Sequence, residues 1–140
     1  MSVLIVEDDP ITMELYRCQF EQWNLSLDCT WMPSALQALM DIASMRPQLL
    51  ITDLSMPGVD GVELLRGLER NPRLADLRII IISGWAPEFI AQRGELPASV
   101  ELLQKPVDLD WLRRYLAAML ELRLPPAQDA SEPLPSLGSL

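Results

Sequence analysis

The chain has 140 residues, of which 49% are hydrophobic, so it is long and apolar enough to bury the core of one domain. Its 11 basic and 20 acidic residues give a net charge of −9, which argues against nucleic acid as a partner. It contains no histidine, which excludes Ser-His-Asp and Cys-His catalytic groups and histidine-rich zinc sites. The acidic start of the chain and its short aliphatic runs predict neither a signal peptide nor a membrane span, so a cytoplasmic location is the default expectation.

Short aliphatic runs alternate with longer stretches of helical periodicity. The predicted strands are residues 3–6, 25–31, 49–51, 79–82 and 100–103, and the predicted helices are residues 10–23, 33–45, 61–70, 87–93 and 108–123. Continuous apolar runs are typical of strands buried on both faces, whereas residues 25–31 alternate as an edge strand does. The pattern predicts one doubly wound α/β domain over residues 1–123, followed by a Pro- and Ser-rich tail or linker start over residues 124–140.

Chemically active side chains follow four of the five predicted strands. They are Glu7, Asp8, Asp9, Asp53, Ser83 and Lys105. Because ligands of an open α/β sheet bind beyond the carboxyl ends of its strands, we expect these groups to share one pocket. Crowded carboxylates repel one another unless a cation neutralises them, and Mg²⁺ is suited to that role. A carboxylate beside Mg²⁺ can attack phosphorus, while a lysine and a hydroxyl hold the phosphoryl oxygens.

Taken together, these residues resemble the receiver domain of two-component response regulators. The resemblance covers residues 2–122 and has four parts: the acidic VEDD at residues 6–9, the D-x-x-M-P-x-x-D-G run at residues 53–61, Ser83-Gly84, and Lys105-Pro106. It implies a flavodoxin-like, three-layer α/β/α fold. The parallel sheet would have five strands in the order 2-1-3-4-5, flanked by five helices.

The same resemblance implies a phosphoacceptor and a magnesium site. Asp53 would accept the phosphoryl group as an aspartyl phosphate, and it would also be a metal ligand. Asp8 would be the main Mg²⁺ ligand, with Glu7 reaching the metal directly or through water. The backbone carbonyl of Ser55 would be a further ligand. Asp9 is expected to tune the site or simply to cap the following helix.

Ser83 and Lys105 would contact the phosphoryl group, and the Lys105–Pro106 peptide bond would be cis. By resemblance, the domain is a phosphorelay switch that catalyses only its own phosphorylation and dephosphorylation. The expected donor is a sensor histidine kinase or a histidine phosphotransfer protein. The expected target is a downstream effector protein or an output domain, with no direct contact to nucleic acid or membrane.

Two positions near the site leave questions open. Receivers carry an aromatic residue three positions before the lysine, and here that position is Leu102, which puts the usual ring movement in doubt. Trp85 could partly cover the site and govern access, or it could simply pack on its loop.

Because of Leu102, one alternative function is a degenerate receiver that acts only as a docking module. Another is a Mg²⁺-dependent aspartyl phosphohydrolase, although Ser55 stands where such enzymes need a second aspartate.

The last predicted helix carries two apolar stripes. Its inner stripe is Leu109, Leu112, Leu116, Met119 and Leu120. A second stripe at helical spacing is Trp111, Tyr115, Ala118 and Leu122. We expect this second stripe to bind a partner protein or a second copy of the chain, unless the preceding helix or the tail covers it.

Overall fold

The computed structural model describes residues 1–53, 61–85, 88, 92 and 99–123, and within them strands and helices alternate. The elements are β1 (Ser2–Val6), α1 (Pro10–Trp23), β2 (Asp28–Met32), α2 (Ala35–Met45), β3 (Leu49–Asp53), α3 (Gly61–Glu69), a 3₁₀ helix (Pro72–Leu74), β4 (Arg78–Ser83), β5 (Val100–Gln104) and α4 (Leu109–Arg123). Of the helix predicted at residues 87–93, the described part is Glu88 and Gln92, which are joined by a backbone hydrogen bond of 3.1 Å. The predicted tail lies outside the described residues.

The five strands form one parallel sheet in the order β2-β1-β3-β4-β5. This confirms the predicted doubly wound, flavodoxin-like architecture. Because every strand runs in the same direction, the carboxyl ends of all five lie at one edge of the sheet. The order also reverses between β1 and β3, the kind of position at which ligands of such sheets bind.

Local sequence explains where the first two helices begin and end. Asp9 caps α1 by accepting a hydrogen bond from the backbone N–H of Thr12, and Pro10 occupies the first turn. The helix ends at Asn24, whose φ of 52° is left-handed. Ser34 caps α2 in the same way, by accepting from the N–H of Gln37. The cap explains why α2 begins two residues after the predicted start at residue 33.

Strand residues alternate between two buried clusters, one on each face of the sheet. On one face, Leu4, Leu50 and Ile81 pack against α2 and α3. On the other face, Ile5 and Ile80 pack against α1 and α4. Since both faces are covered, every position of β3 is buried, which is why its sequence reads as a continuous apolar run.

The edge strand β2 lies at residues 28–32, so it begins three positions later and ends one position later than its alternating pattern predicts. Leu25 and Leu27 pack against the α1/α4 cluster before the strand begins, and the N–H of Leu27 bonds to the carbonyl of Leu25 at 2.8 Å. Pairing with β1 then starts at Asp28, opposite Ser2. The apolar alternation was therefore produced by packing, and it extends beyond the hydrogen-bonded strand. In the described part of the chain, no helix is long and apolar enough to cross a membrane.

Candidate functional site

Parallel pairing brings the predicted reactive groups to the carboxyl edge of the sheet. Asp53, the last residue of β3, pairs with Ile82 on β4, and Ser83 at the end of β4 pairs with Gln104 on β5. Glu7 follows β1 directly, beside β3. Among the described residues, the buried polar and charged side chains all belong to this edge: Glu7, Thr52, Asp53 and Ser83.

The Asp53 carboxylate and the Lys105 ammonium are joined by a hydrogen-bonded ion pair of 2.6 Å. Asp53 is buried, while the Lys105 side chain keeps 41% of its surface exposed. The hydrogen bond to Asp53 raises the pKa of Lys105, burial opposes the rise, and the charges of Asp53, Glu7 and Asp8 add to it. The lysine is therefore held in its protonated form, in which it can donate to an oxyanion carried by Asp53.

Glu7 is a buried carboxyl group beside this ion pair. Its burial raises its pKa, the N–H of Asp9 opposes that rise through a 3.0 Å hydrogen bond, and the charges of Asp53 and Asp8 raise the pKa further. Lys105 partly compensates them by lowering it. Three acidic side chains thus act on one another at this edge, and their combined negative charge favours a cation.

Asp8 and Asp9 complete the acidic run but differ in role. Asp8 is exposed, and its charge acts on Glu7 and Lys105. Asp9 is also exposed and is engaged as the α1 cap, and its pKa is lowered chiefly by the hydrogen bond from the Thr12 hydroxyl. The capping role predicted for Asp9 is confirmed.

Mg²⁺ suits the donor set at this edge. It requires only one or two carboxylates and completes its octahedron with waters and phosphate oxygens. Glu7, Asp8 and Asp53 supply carboxylates, and the pKa of Glu7 is raised first by burial and then by the charges of Asp53 and Asp8, which a cation would offset. Within the described ranges, no three His, Cys, Asp or Glu side chains lie together as a group that could hold a metal ion by themselves. The predicted ligand Ser55 lies outside the described residues.

Ser83 is almost wholly buried, with 1% of its surface exposed. Its hydroxyl oxygen accepts a hydrogen bond from the N–H of Trp85 at 3.0 Å, and its carbonyl accepts one from the N–H of Lys105 at 2.8 Å. The Lys105–Pro106 peptide bond is cis, as the resemblance predicted. The backbone thus joins the end of β4 to the start of the loop that follows β5.

Trp85 and Leu102 share one environment. Both are half-buried and pack against the α2/α3 cluster. The carbonyl of Trp85 also accepts a hydrogen bond of 3.1 Å from the Gln104 carboxamide. Trp85 is therefore anchored through its ring and its backbone, which favours the packing interpretation of this residue. Control of access to the site stays a prediction.

The predicted partner face on the last helix is wrong for its two aromatic residues. Trp111 and Tyr115 are 7% and 0% exposed, and they stack with their ring centroids 5.0 Å apart inside the α1/α4 cluster. Ala118 is buried as well, and Leu122 alone of this stripe is exposed. The helix is apolar around much of its girth because it lies deep against the sheet, and its second stripe is core.

Two residues near the site were not singled out from the sequence. Tyr16 on α1 is half-buried, and its pKa is raised to about 12 by burial and by the charges of Glu7 and Asp53. Gln104 bonds to Trp85, as described above. Position could have suggested Gln104, because it directly precedes Lys105. Nothing in the pattern of α1 distinguishes Tyr16 from an ordinary core residue.

The response regulator receiver domain model matches residues 3–117 of this chain. The chain belongs to that family. Among curated proteins it is 33% identical over 108 residues to an uncharacterised 14.6 kDa protein from the sodA1 3′ region of Leptolyngbya boryana, covering 77% of this chain and 81% of that protein. It is 31% identical over 124 residues to the C4-dicarboxylate transport transcriptional regulatory protein DctD of Pseudomonas aeruginosa, covering 87% of this chain and 26% of that protein.

Solved structures agree with this assignment. A sensor protein from Polaromonas sp. JS666 is 34% identical, with a TM-score of 0.69, covering 83% of this chain and 92% of that one. The isolated receiver domain of RcsB from Salmonella enterica serovar Typhimurium is 26% identical, with a TM-score of 0.70 and coverages of 86% and 88%. This receiver therefore spans nearly all of some relatives and about a quarter of DctD.

Proposed function

We propose that this receiver is a phosphorylation switch whose phosphoacceptor is Asp53. The observation that carries the proposal is the buried Asp53 carboxylate, held 2.6 Å from the protonated Lys105 amine and beside Glu7. The carboxylate is a nucleophile, and the amine is placed to stabilise charge on an incoming phosphoryl group. A buried ion pair alone is weak evidence of function, but here Ser83 and two further acids lie at the same edge of the sheet.

In the forward reaction, an Asp53 carboxylate oxygen attacks the phosphorus of the donor. The bond between phosphorus and the donor's nitrogen or oxygen breaks, and its electron pair leaves with the donor. The product is an aspartyl phosphate. Attack of water on the same phosphorus later releases inorganic phosphate and restores the carboxylate. Lys105 and the Ser83 hydroxyl donate to the phosphoryl oxygens in both steps, phosphorylation and hydrolysis. The chain's contribution is therefore positioning and charge stabilisation.

Asp8 and Asp53 would hold the Mg²⁺, with Glu7 reaching it directly or through water and the Ser55 carbonyl as a further ligand. When bound, the metal supplies neutralisation of negative charge on the phosphoryl oxygens. Glu7 and Asp8 contribute by keeping this edge of the sheet acidic. The protein does not act on a separate substrate in this scheme, so it is a signalling switch rather than an enzyme.

We further propose that the phosphoryl donor, a sensor histidine kinase or a histidine phosphotransfer protein, docks over α1. Ile11 and Leu15 are 73% and 62% exposed on this helix. Leu15 and the site residue Lys105 line one cleft of about 320 Å³, together with Thr12, Tyr16, Gln19, Pro106, Val107 and Leu109. An exposed apolar surface next to the phosphoacceptor suits a protein donor. Leu15→Ser is expected to slow transfer from a phosphorylated phosphotransfer protein of the same organism and to leave transfer from acetyl phosphate unchanged.

The deciding experiment is incubation with Mg²⁺ and acetyl phosphate, followed by intact-mass measurement. The wild type is expected to gain one phosphoryl group, and Asp53→Asn is expected to gain none. Omission of Mg²⁺ should suppress the gain in the wild type. A wild type that gains no phosphoryl mass from acetyl phosphate or a protein donor would instead favour a docking module, which the aliphatic Leu102 makes the leading alternative. Release of phosphate from an added phosphomonoester, with no mass gain on the chain, would favour the phosphohydrolase alternative.

A further inference from the structure

We propose that Gln104 is a positioning residue, which holds the Ser83 hydroxyl ready to donate to a phosphoryl group on Asp53. This inference rests on the proposed phosphorylation of Asp53. Gln104 acts through the backbone of Trp85 and need not touch the phosphoryl group.

Three hydrogen bonds join the ends of β4 and β5 around Trp85. Gln104 lies opposite Ser83 in the sheet, and its carboxamide donates to the Trp85 carbonyl at 3.1 Å. The N–H of Trp85 donates to the Ser83 hydroxyl oxygen at 3.0 Å. The N–H of Lys105 donates to the Ser83 carbonyl at 2.8 Å. Both backbone polar groups of Trp85 are thus fixed by the two strands whose ends form the site.

The hydrogen bond from Trp85 determines which further hydrogen bonds the Ser83 hydroxyl can make. A hydroxyl has one O–H to donate and two lone pairs to accept. The N–H of Trp85 occupies one lone pair, which leaves the O–H able to donate to another partner. Ser83 is 1% exposed and ends β4 at the edge of the sheet where Asp53 ends the neighbouring β3, so its hydroxyl lies in a buried part of this edge rather than in water. Donation to a phosphoryl oxygen on Asp53 is the use that this arrangement prepares.

Gly84 explains why the hydrogen bond from Gln104 to the Trp85 carbonyl matters. It separates Ser83 from Trp85 in the chain and is exposed, and the nearest atom to a Cβ placed there would be a Lys105 side-chain carbon at 4.0 Å. Glycine gives the backbone wide conformational freedom, so this turn is weakly restrained by its own sequence. The Gln104 carboxamide adds a restraint from the neighbouring strand to the packing of the Trp85 ring. Its removal would let the Trp85 N–H leave Ser83, and the hydroxyl would then sample other orientations.

The test compares Gln104→Met with wild type in the rate of phosphorylation by acetyl phosphate with Mg²⁺. Methionine keeps the length of the side chain but has no donor. Loss of one hydrogen bond predicts a rate about threefold to tenfold lower at saturating donor, with the half-saturating donor concentration unchanged. Gln48→Met is the matched control, because Gln48 also bonds a backbone group, the N–H of Ser2 at 2.7 Å, but at the opposite edge of the sheet. Its rate is expected to equal that of the wild type.

A double-mutant cycle with Ser83→Ala separates positioning from a general structural effect. If Gln104 acts through the hydroxyl, Gln104→Met has no further effect once the hydroxyl is gone. The emission of Trp85, taken as the difference between each protein and its Trp85→Phe variant, should change in Gln104→Met and not in Gln48→Met. Gln104→Glu, which also loses the donor, repeats the test should the methionine variant fold poorly.

The outcomes are distinguishable. A normal rate in Gln104→Met, or an equal loss in the presence and absence of the Ser83 hydroxyl, would overturn this inference and leave the phosphorylation of Asp53 standing. A wild type that acquires no phosphoryl group would overturn both proposals together.

Discussion

The two edges of the sheet are built from the same strands and differ in what they bury. At the carboxyl edge, Glu7, Asp53 and Ser83 are each at most 6% exposed. At the amino edge, the polar residues that begin β2 and β4, Asp28 and Arg78, remain in contact with water. One edge therefore places charged and polar groups where their burial is costly, and the other leaves them solvated.

This difference shows which end of the fold carries the chemistry. A buried carboxylate raises the electrostatic cost of folding unless it is paired, and here Lys105 provides only part of the compensation for Glu7. Such arrangements are concentrated at functional sites. The amino edge has no comparable cluster among the described residues. The comparison predicts that changes at the carboxyl edge alter phosphorylation, whereas changes between the edges alter stability.

The largest expected effect on stability comes from the middle of the strands, between the two edges. Ile80 is fully buried in the α1/α4 cluster, so Ile80→Ala leaves a cavity and should lower the free energy of unfolding by about 3 kcal/mol. Urea denaturation measures the loss. The folded variant should still be phosphorylated within about twofold of the wild-type rate, because no residue of the site is changed. Loss of one hydrogen bond at the site would change the rate by more than this. A stability loss below about 1 kcal/mol would contradict the assignment of Ile80 to the core.

At the carboxyl edge, Lys105→Met removes the charge that faces Asp53. The phosphorylation rate with acetyl phosphate should fall about 100-fold, since one oriented donor to a developing oxyanion contributes about this much. Arg113→Met is the control, because it removes an exposed ion pair with Asp110 on α4, and its rate should be unchanged. Equal rates for Lys105→Met and wild type would show that the amine does not contact the phosphoryl group.

Glu7→Gln should separate stability from function at the same edge. The pKa of Glu7 is raised in the folded chain, so its stabilising contribution is present below the ordinary pKa of 4.5 and is lost as the pH rises through the folded value. At pH 7 the neutral glutamine should therefore raise the free energy of unfolding. The same change should weaken Mg²⁺ binding, as measured by tryptophan fluorescence during titration. A less stable Glu7→Gln protein at pH 7 would contradict the sign of this argument.

Tyr16→Phe should have the smallest effect, confined to alkaline pH. The pKa of Tyr16 is about 12 when folded against a reference of 10, so its contribution is complete below pH 10 and is lost as the pH rises towards 12. At pH 10 the wild type should already have lost about 0.4 kcal/mol relative to Tyr16→Phe. Parallel urea titrations at pH 8 and pH 10 measure the difference. Identical pH dependence in the two proteins would contradict the burial that chiefly raises the pKa of Tyr16.

Much of the fold could be predicted because local chemistry and packing agree. The helix at residues 10–23 was predicted with its observed bounds, since Asp9-Pro10 fixes its start and the amphipathic pattern extends to its end. Residues 25–31 were less informative, because Leu25 and Leu27 keep the alternation of a strand while they pack outside it. The depth of the last helix could not be predicted, because a Trp-Tyr stripe has the same sequence whether it faces a partner or the core.

The site was predictable to the extent that its residues end strands. Asp53 and Lys105 were predicted to meet from their positions in the chain, and they do so at 2.6 Å. The Gln104–Trp85 bond could not be predicted, because it depends on where the backbone of Trp85 lies relative to the Gln104 side chain. Side-chain chemistry in the sequence indicates what can react, and the backbone geometry determines which groups support the reaction.

The most direct test of the central claim is to locate the phosphoryl group. The protein is incubated with Mg²⁺ and acetyl phosphate and then treated with borohydride, which reduces an aspartyl phosphate to homoserine, and its peptides are mapped by mass spectrometry. We predict homoserine at position 53 in the wild type and no reduced residue in Asp53→Asn. Homoserine at another position, or an unreduced Asp53 under every donor tried, would contradict the assignment of the carboxyl edge as a phosphoacceptor site.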